Sequence, residues 1–415
     1  MDGLAVEFRT LTPLWTGDAQ RRSDQVREAG LLGSLRWWYE GIVRGMGGYT
    51  CDPSQGGCDF DGNAYEKAIA AGYGEAEAAV RAGLCPVCRF FGATGLKRRF
   101  RLEISEMDSH PLFFKASPQV YQAAGNWLWR MFGGEDTGGT KTGRGPDTRF
   151  TFGSSVLWGE RALTRITPVD SEHDDILKRF AFLLDTATRF GGLGAKTQNG
   201  FGQIRILNGV LPEFIAAGKD LVRRDLEKTE ASIRENPRKA PPQREDLFTL
   251  RSFFSRTYRL TTAETYVQGL RPIGVPWEHH LRHYVPCAFD IRYKSQQRNP
   301  FSGLGRDVGL RPFFRKRWGD EVTNLLFGGL GGYRGAERIA SRIRVSHLFK
   351  VPGDDHWHLK VWGDVPPRLW EQVDRHPKLE EVVQTVDEFI RGEKGMFPGS
   401  QSIEEYEFKP EEFLG

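Results

Sequence analysis

The sequence has no run of about 18 apolar residues, so it offers no candidate membrane-spanning helix. Its opening, MDGLAVEFRT, lacks the apolar core of a secretory signal, and a cytoplasmic protein is the expectation. Cysteine is scarce, and in a reducing compartment five in 415 residues read better as thiols or metal ligands than as a disulfide frame. Charge of one sign is also scarce. A net +4 excludes a protein basic all over its surface, so any nucleic-acid contact has to be local. Two catalytic signatures are missing. No Gly-Lys pair follows a strand as in a P-loop, because Ala195 precedes Lys196 and the residues before it have helical spacing. No Glu sits between paired histidines as in H-E-x-x-H.

Glycine is plentiful, 49 residues where average usage is ~7%. It is densest in RFGGLGAKTQNGFG (189–202). Upstream, Phe180, Phe182, Leu183, Leu184 and Ala187 repeat at helical spacing; downstream, QIRIL alternates like a strand. The stretch therefore reads as a loop leaving a helix C-terminus. Glycines let the backbone approach a ligand closely, and consecutive N–H groups beside Lys196 suit an anionic oxygen such as a phosphate. The plainer reading is a flexible connection between a helix and a strand.

The cysteines fall into two pairs, Cys51/Cys58 around a Pro/Gly turn and Cys85/Cys88 in C-P-V-C. The tighter pair has knuckle spacing, and four thiolates close in sequence predict a structural zinc that leaves no open position for water. Unconnected thiols or a redox C-x-x-C are the alternatives. Between the pairs, AYEKAIAAGYGEAEAAVRAG reads as a helical insertion.

Elsewhere, Val6, Phe8 and Thr10 alternate with Glu7 and Arg9 in a half-buried strand. Leu32, Leu35, Trp38, Tyr39, Ile42 and Val43 form one stripe of a helix over 30–44, with Trp38 in the core. Arg36, off that stripe, could touch a phosphate or stay solvated. Aromatics and a cation run, Phe90, Phe91, Lys97, Arg98, Arg99 and Arg101, suit a nucleic-acid strand or a basic outer face. GGEDTGGTKTGRGPDTRF (133–150) reads as a long loop or hairpin tip. DHWHLKVWGDV alternates as a strand, and helical periodicity follows it toward the C-terminus. His279, His280 and His283 are the clustered histidines, candidates for a metal or acid–base role. Phe90-Phe91-Gly92 before RRFRLEI matches Leu326-Phe327-Gly328 before SRIRVSHL, an internal repeat that predicts a duplicated domain.

Taken together, LTPLWTG (11–17), GSLRWWYE (33–40), CPVCRFFG (85–92), FGGLGAKTQNGFG (190–202) and SRIRVSHL (341–348) resemble the RAMP superfamily. The likeness is to the first RAMP subunit of Cmr-type, type III-B CRISPR effector complexes. The resemblance implies an α+β protein of two tandem ferredoxin-like (RRM-like) domains, antiparallel sheets backed by helices. The first would span 1–215, with a zinc-knuckle-like insertion at 45–90 and the glycine loop at 191–202. A charged helix and Pro-rich linker (216–246) would lead to the second, 247–415. It further implies a non-catalytic RNA-binding subunit that contacts crRNA near its 3′ end and target RNA in antiviral defence. Its partners would be other RAMP subunits, with no membrane and no small-molecule substrate. Carried onto the matching loop, RNA contact falls to Gly191, Gly192, Gly194, Lys196, Asn199 and Gly202, with Arg36, Arg98 and Arg99 added on charge. Zinc would be held by Cys51, Cys58, Cys85 and Cys88. The competing functions are a RAMP-type endonuclease using the histidine cluster and a zinc-stapled interaction module without RNA.

Overall fold

The computed structural model describes residues 3–18, 22–52, 55–115, 140–142, 149–169, 173–235, 247–270, 282–292, 309–330, 338–365, 373, 376–407 and 409. The chain opens with β1 (Leu4–Thr10), which buries Val6, Phe8 and Thr10 and turns Glu7 and Arg9 outward as their alternation requires. α1 (Glu28–Gly45) buries Leu35, Trp38, Tyr39, Ile42 and Val43 from the expected stripe and adds Leu31, while Leu32 is half-buried.

The cysteine segment then folds into α2 (Gly62–Ala70), α3 (Glu75–Arg81) and α4 (Pro86–Phe91). Asp61 caps α2 by accepting the Ala64 N–H at 2.9 Å, and Pro86 occupies the first turn of α4. β2 (Phe100–Ile104) follows. β3 (Asp108–Lys115), β4 (Thr140–Thr142) and β5 (Arg149–Trp158) form a separate antiparallel sheet, so the described part of 133–150 is a hairpin. β6 (Ala162–Pro168), α5 (His173–Phe190), β7 (Ile204–Asn208) and α6 (Pro212–Glu235) complete the first half. Its main sheet has the order β2-β6-β1-β7, every pairing antiparallel. The charged helix α6 lies along α5, with the Arg179 guanidinium 2.6 Å from Asp225. Residues 236–246, the Pro-rich part of the linker, lie outside the described residues.

The second half contains β8 (Phe253–Leu260), α7 (Glu264–Leu270), β9 (Tyr284–Val285), α8 (Ala288–Arg292) and α9 (Leu310–Phe327). After them come β10 (Gly329–Leu330), β11 (Arg338–Ile339), β12 (Arg344–Val345), β13 (Leu348–Lys350), β14 (Trp357–Asp364), α10 (Leu379–Arg391) and β15 (Gln401–Glu407). Its sheet runs β15-β8-β14-β13-β9, with β12 also on β14 and all pairings antiparallel. The fold is α+β.

The internal repeat is visible in the backbone. α4 ends at Gly92 (φ 87°, ψ 162°) and α9 ends at Gly328 (φ 75°, ψ 152°), the same left-handed-side exit that glycine alone adopts cheaply. In each copy a strand-entry amide returns to the helix: Arg99 N–H to the Phe90 carbonyl, and Arg342 N–H to the Leu326 carbonyl. Each copy then sends its basic strand to the same position in the sheet, β2 beside β6 and β12 beside β14.

β14 departs from its alternating pattern. All eight of its residues are buried, His358, Lys360 and Asp364 included. The strand lies between two apolar cores: Leu359 and Val361 join that of the second half, and Trp362 joins that of the first. Phe248, Leu250 and Phe253 cross over in the same way, so residues of the second half complete the first half's core at α1.

Candidate functional site

The glycine loop sits at that junction. Trp38, fully buried on α1, lies with its ring centroid 5.4 Å from Trp362, 5.5 Å from Phe248 and 5.7 Å from Phe253, and its Nε1–H donates to the Gly192 carbonyl at 2.9 Å. Gly191 passes the same ring so closely that a Cβ there would meet it at 2.1 Å. Gly194 and Gly202 have positive φ (84° and 80°) and run against the Trp15 and Leu193 carbonyls. Gly192 abuts Gln203 and Gly202. The missing side chains make room for the protein's own Trp38, Trp15 and backbone.

The loop's N–H groups are largely engaged too. Gly191 N–H donates to Ala187 O, Leu193 to Gly202 O, Gly194 to Ser34 Oγ, Ala195 to Trp15 O, and Gly202 to Pro13 O. The far end of the loop grips the second half: Arg292 donates to the Gln198 carbonyl and His347 N–H to the Gly200 carbonyl. His347 Nδ1 accepts the Cys287 and Ala288 N–H groups at 3.3 and 3.2 Å, and burial pushes this imidazole down to about 3. Sequence reading missed His347, Arg292 and Trp362 as loop anchors, because single residues far apart in the chain carry no spacing to detect. Lys196, left-handed at φ 60°, is half-buried, its ammonium 3.8 Å from the Trp15 ring centroid, a cation–π contact. Asn199 is buried.

Arg36 is not a bare surface cation. Its Nε contacts Glu40 Oε1 at 3.3 Å, Nη1 donates to Gly92 O at 3.2 Å, and Nη2 donates to Cys88 Sγ at 3.2 Å. Arg98 and Arg99 are half-buried, with the Arg98 guanidinium 6.0 Å from the Phe100 ring centroid. These residues stand apart from the glycine loop, in the strand-entry region of β2. Of the three histidines, His279 and His280 lie outside the described residues. His283 is half-buried, 4.0 Å from Glu160 and stacked on Trp158, and its partial burial is the main cause lowering its pKa. Cys287 is buried, its thiol pushed up by that burial.

The four cysteines converge. The Sγ atoms of Cys51, Cys58, Cys85 and Cys88 all lie within 4.8 Å of one another. A tetrahedral zinc with Zn–S near 2.3 Å would set sulfurs ~3.8 Å apart; here Cys51–Cys88 is 3.4 Å and Cys51–Cys85 is 3.8 Å. Thiolate-directed donors surround them: Cys85 N–H on Cys58 Sγ at 3.3 Å, Cys88 N–H on Cys85 Sγ at 3.5 Å, and the Arg36 guanidinium. Hydrogen bonds from the Cys51 and Cys58 thiols hold the Cys88 thiol below its ordinary value. Four converging sulfurs suit a tetrahedral metal such as zinc better than a redox pair.

The RAMP superfamily model matches residues 7–205, the stretch from β1 through the glycine loop into β7. Residues 7–205 belong to the RAMP superfamily. This RAMP region therefore contains the cysteine cluster, Arg36, Arg98, Arg99 and the whole glycine loop. No curated protein matches the sequence. Among solved structures, the chain is similar to one chain of a type III-B Cmr-beta complex bound to cognate target RNA and AMPPnP in the presence of ssDNA. That similarity has a TM-score of 0.38 at 13% identity, covering 93% of this chain and 98% of that one. A chain of Cmr-beta bound to cognate target RNA gives 0.37 at 13% identity, with 93% and 100% covered.

The solvent face of the RAMP sheet carries Arg9, Arg101, Arg165 and Arg205 among Glu7, Glu103 and Leu163. Among the described residues no aromatic ring projects from it. RRM-style stacking of bases on the sheet has no platform here, and the available chemistry is contact with phosphate.

Proposed function

We propose that the chain is a non-catalytic RNA-holding subunit of a type III-B CRISPR effector complex, contacting crRNA near its 3′ end and target RNA. The observation that carries this reading is the RAMP region itself, which joins the family's loop to an open sheet face lined with arginines. The strand order β2-β6-β1-β7 and its counterpart β15-β8-β14-β12 support two tandem ferredoxin-like halves, 1–215 and 247–415, joined through 216–246. Within that frame the glycines 191, 192, 194 and 202 set the loop's shape, and Lys196 is its cation. Asn199 supports the loop from inside. Zinc at Cys51, Cys58, Cys85 and Cys88 staples the insertion to α4. Other RAMP subunits and both RNAs are the partners, and the cytoplasm is the place of action.

The test is RNA binding by the purified chain across a salt series, with cleavage scored on the same gel. Contacts to phosphate make affinity fall linearly with salt on logarithmic axes, and Lys196→Gln should reduce that slope by about one. Lys196 is the residue to change, since replacing buried Asn199 would disturb the fold. An affinity flat in salt refutes phosphate-based holding. Cleaved RNA transfers the function to an endonuclease, for which His283 is the first residue to replace.

A further inference from the structure

On the helix side of the first half, away from both the glycine loop and the open sheet face, α4, α5, α6 and the entry to β2 enclose a cavity of about 140 Å³. Its walls carry Arg89, Arg99, Arg179, Arg224 and Lys228 against two carboxylates, Asp175 and Asp225. Arg89 and Arg179 are more than nine-tenths buried, at 4% and 6% exposure.

Both guanidiniums are held in place. Arg179 Nη1 lies 2.6 Å from Asp225 Oδ2. Arg89 Nη1 donates to the Leu84 carbonyl at 2.7 Å, its Nη2 to Thr229 Oγ1 at 3.0 Å, and the same Nη2 stands 3.7 Å from Asp225. One carboxylate between two buried guanidiniums leaves positive charge in a desolvated place, which is costly without a further anion. Arg179 Nε is buried without a geometrically formed hydrogen bond, and the buried Tyr39 hydroxyl faces the same guanidinium. The rim cations Arg224 and Lys228 are exposed on α6 and open to an incoming ligand.

Size limits what enters. At ~30 Å³ per water, the cavity holds a handful of waters, the scale of one tetrahedral oxyanion. It falls short of the ~300 Å³ at which pockets begin to take a base with its sugar. Fixed guanidinium forks with a lysine at the mouth match phosphate oxygens.

We propose that this cavity is a phosphate-binding site, taking either inorganic phosphate or one backbone phosphate of RNA. The inference does not depend on the RNA reading above, because its first test contains no RNA. Inorganic phosphate is titrated into the full chain by calorimetry and followed by thermal melting. The expected result is a saturable Kd in roughly the millimolar range or tighter. In Arg224→Gln/Lys228→Gln, whose unliganded melting point stays at the wild-type value, that Kd weakens about tenfold. Lys196→Gln leaves it unchanged. Absence of phosphate binding by the wild type, or binding that the α6 pair does not weaken, overturns the proposal.

A second arm identifies the source. If RNA supplies the phosphate, inorganic phosphate competes with an RNA oligonucleotide and the α6 variant weakens RNA binding. If RNA affinity is indifferent to both while inorganic phosphate still binds, the site serves the free anion.

Discussion

Gly191→Ala is the sharpest probe of how the two halves are joined. A methyl at this position would stand 2.1 Å from Trp38 Cζ2 and 2.6 Å from Cη2, where ordinary contact needs 3.4–4 Å. The indole cannot retreat: Trp362, Phe248 and Phe253 surround it, and its Nε1–H is tied to the Gly192 carbonyl at 2.9 Å. Overpacking a closed core costs ~1–3 kcal/mol, and breaking the indole hydrogen bond adds ~1 kcal/mol. The sum, about 2–4 kcal/mol, corresponds to a melting point lowered by roughly 4–16 °C for halves of this size. Gly33→Ala is the matched control, since a Cβ on that exposed turn of α1 meets nothing within 4 Å. It should be neutral or stabilise by up to ~1 kcal/mol. Differential scanning fluorimetry on both variants decides the matter. Combining Gly191→Ala with Trp38→Leu should recover more than ~1 kcal/mol through the shared contact. If Gly191→Ala melts with the wild type, the loop does not pack on Trp38 and the junction described here is wrong.

Two further predictions concern stability. Purified protein should carry about one zinc per chain by elemental analysis. Cys88→Ser or a strong chelator should remove it and lower the melting point by many degrees; metal-free protein with an unchanged melting point refutes the staple. His347 holds two buried N–H groups, so His347→Phe should cost about 2–5 kcal/mol, whereas His347→Gln, with an accepting oxygen, should cost less. The imidazole is depressed from its ordinary value to about 3, so the unfolded chain binds its proton first as pH falls. Its stabilisation is complete above pH ~6.5 and is lost toward pH 3 at up to ~1.4 kcal/mol per pH unit. Denaturant melts across that window should show a shallower acid slope for His347→Gln than for wild type, and equal slopes would contradict the burial.

Much of this arrangement is legible in the sequence, and what is hidden has a physical reason. The stripe on α1 and the alternation of β1 follow from periods that only one secondary structure satisfies. The cysteine spacing announced its own convergence. The repeated Phe-Gly exits announced a common backbone, because φ near +80° is cheap for glycine alone. The glycine stretch is legible as a connection from a helix to a strand, but a sequence does not say whether a missing Cβ makes room for a ligand or for the protein's own indole. That answer depends on Trp38, distant in the chain. β14 looked half-exposed because Lys360 and Asp364 are charged; both are buried by long-range partners, Lys360 on the Arg189 carbonyl and Asp364 on Arg342. β9 and β12, two residues each, are too short to show any period.

The shared core also fixes an order of events during synthesis. Trp37 and Trp38 leave the ribosome early, yet Phe248, Phe253 and Trp362, which cover them, belong to the second half. At ~5–20 residues per second the nascent first half waits roughly a quarter of a minute to a minute with these indoles uncovered. Over that interval the two tryptophans are a target for a chaperone or for a neighbouring nascent chain. Completion of β14 ends the exposure, so the first half cannot finish its own core before the second half has been made.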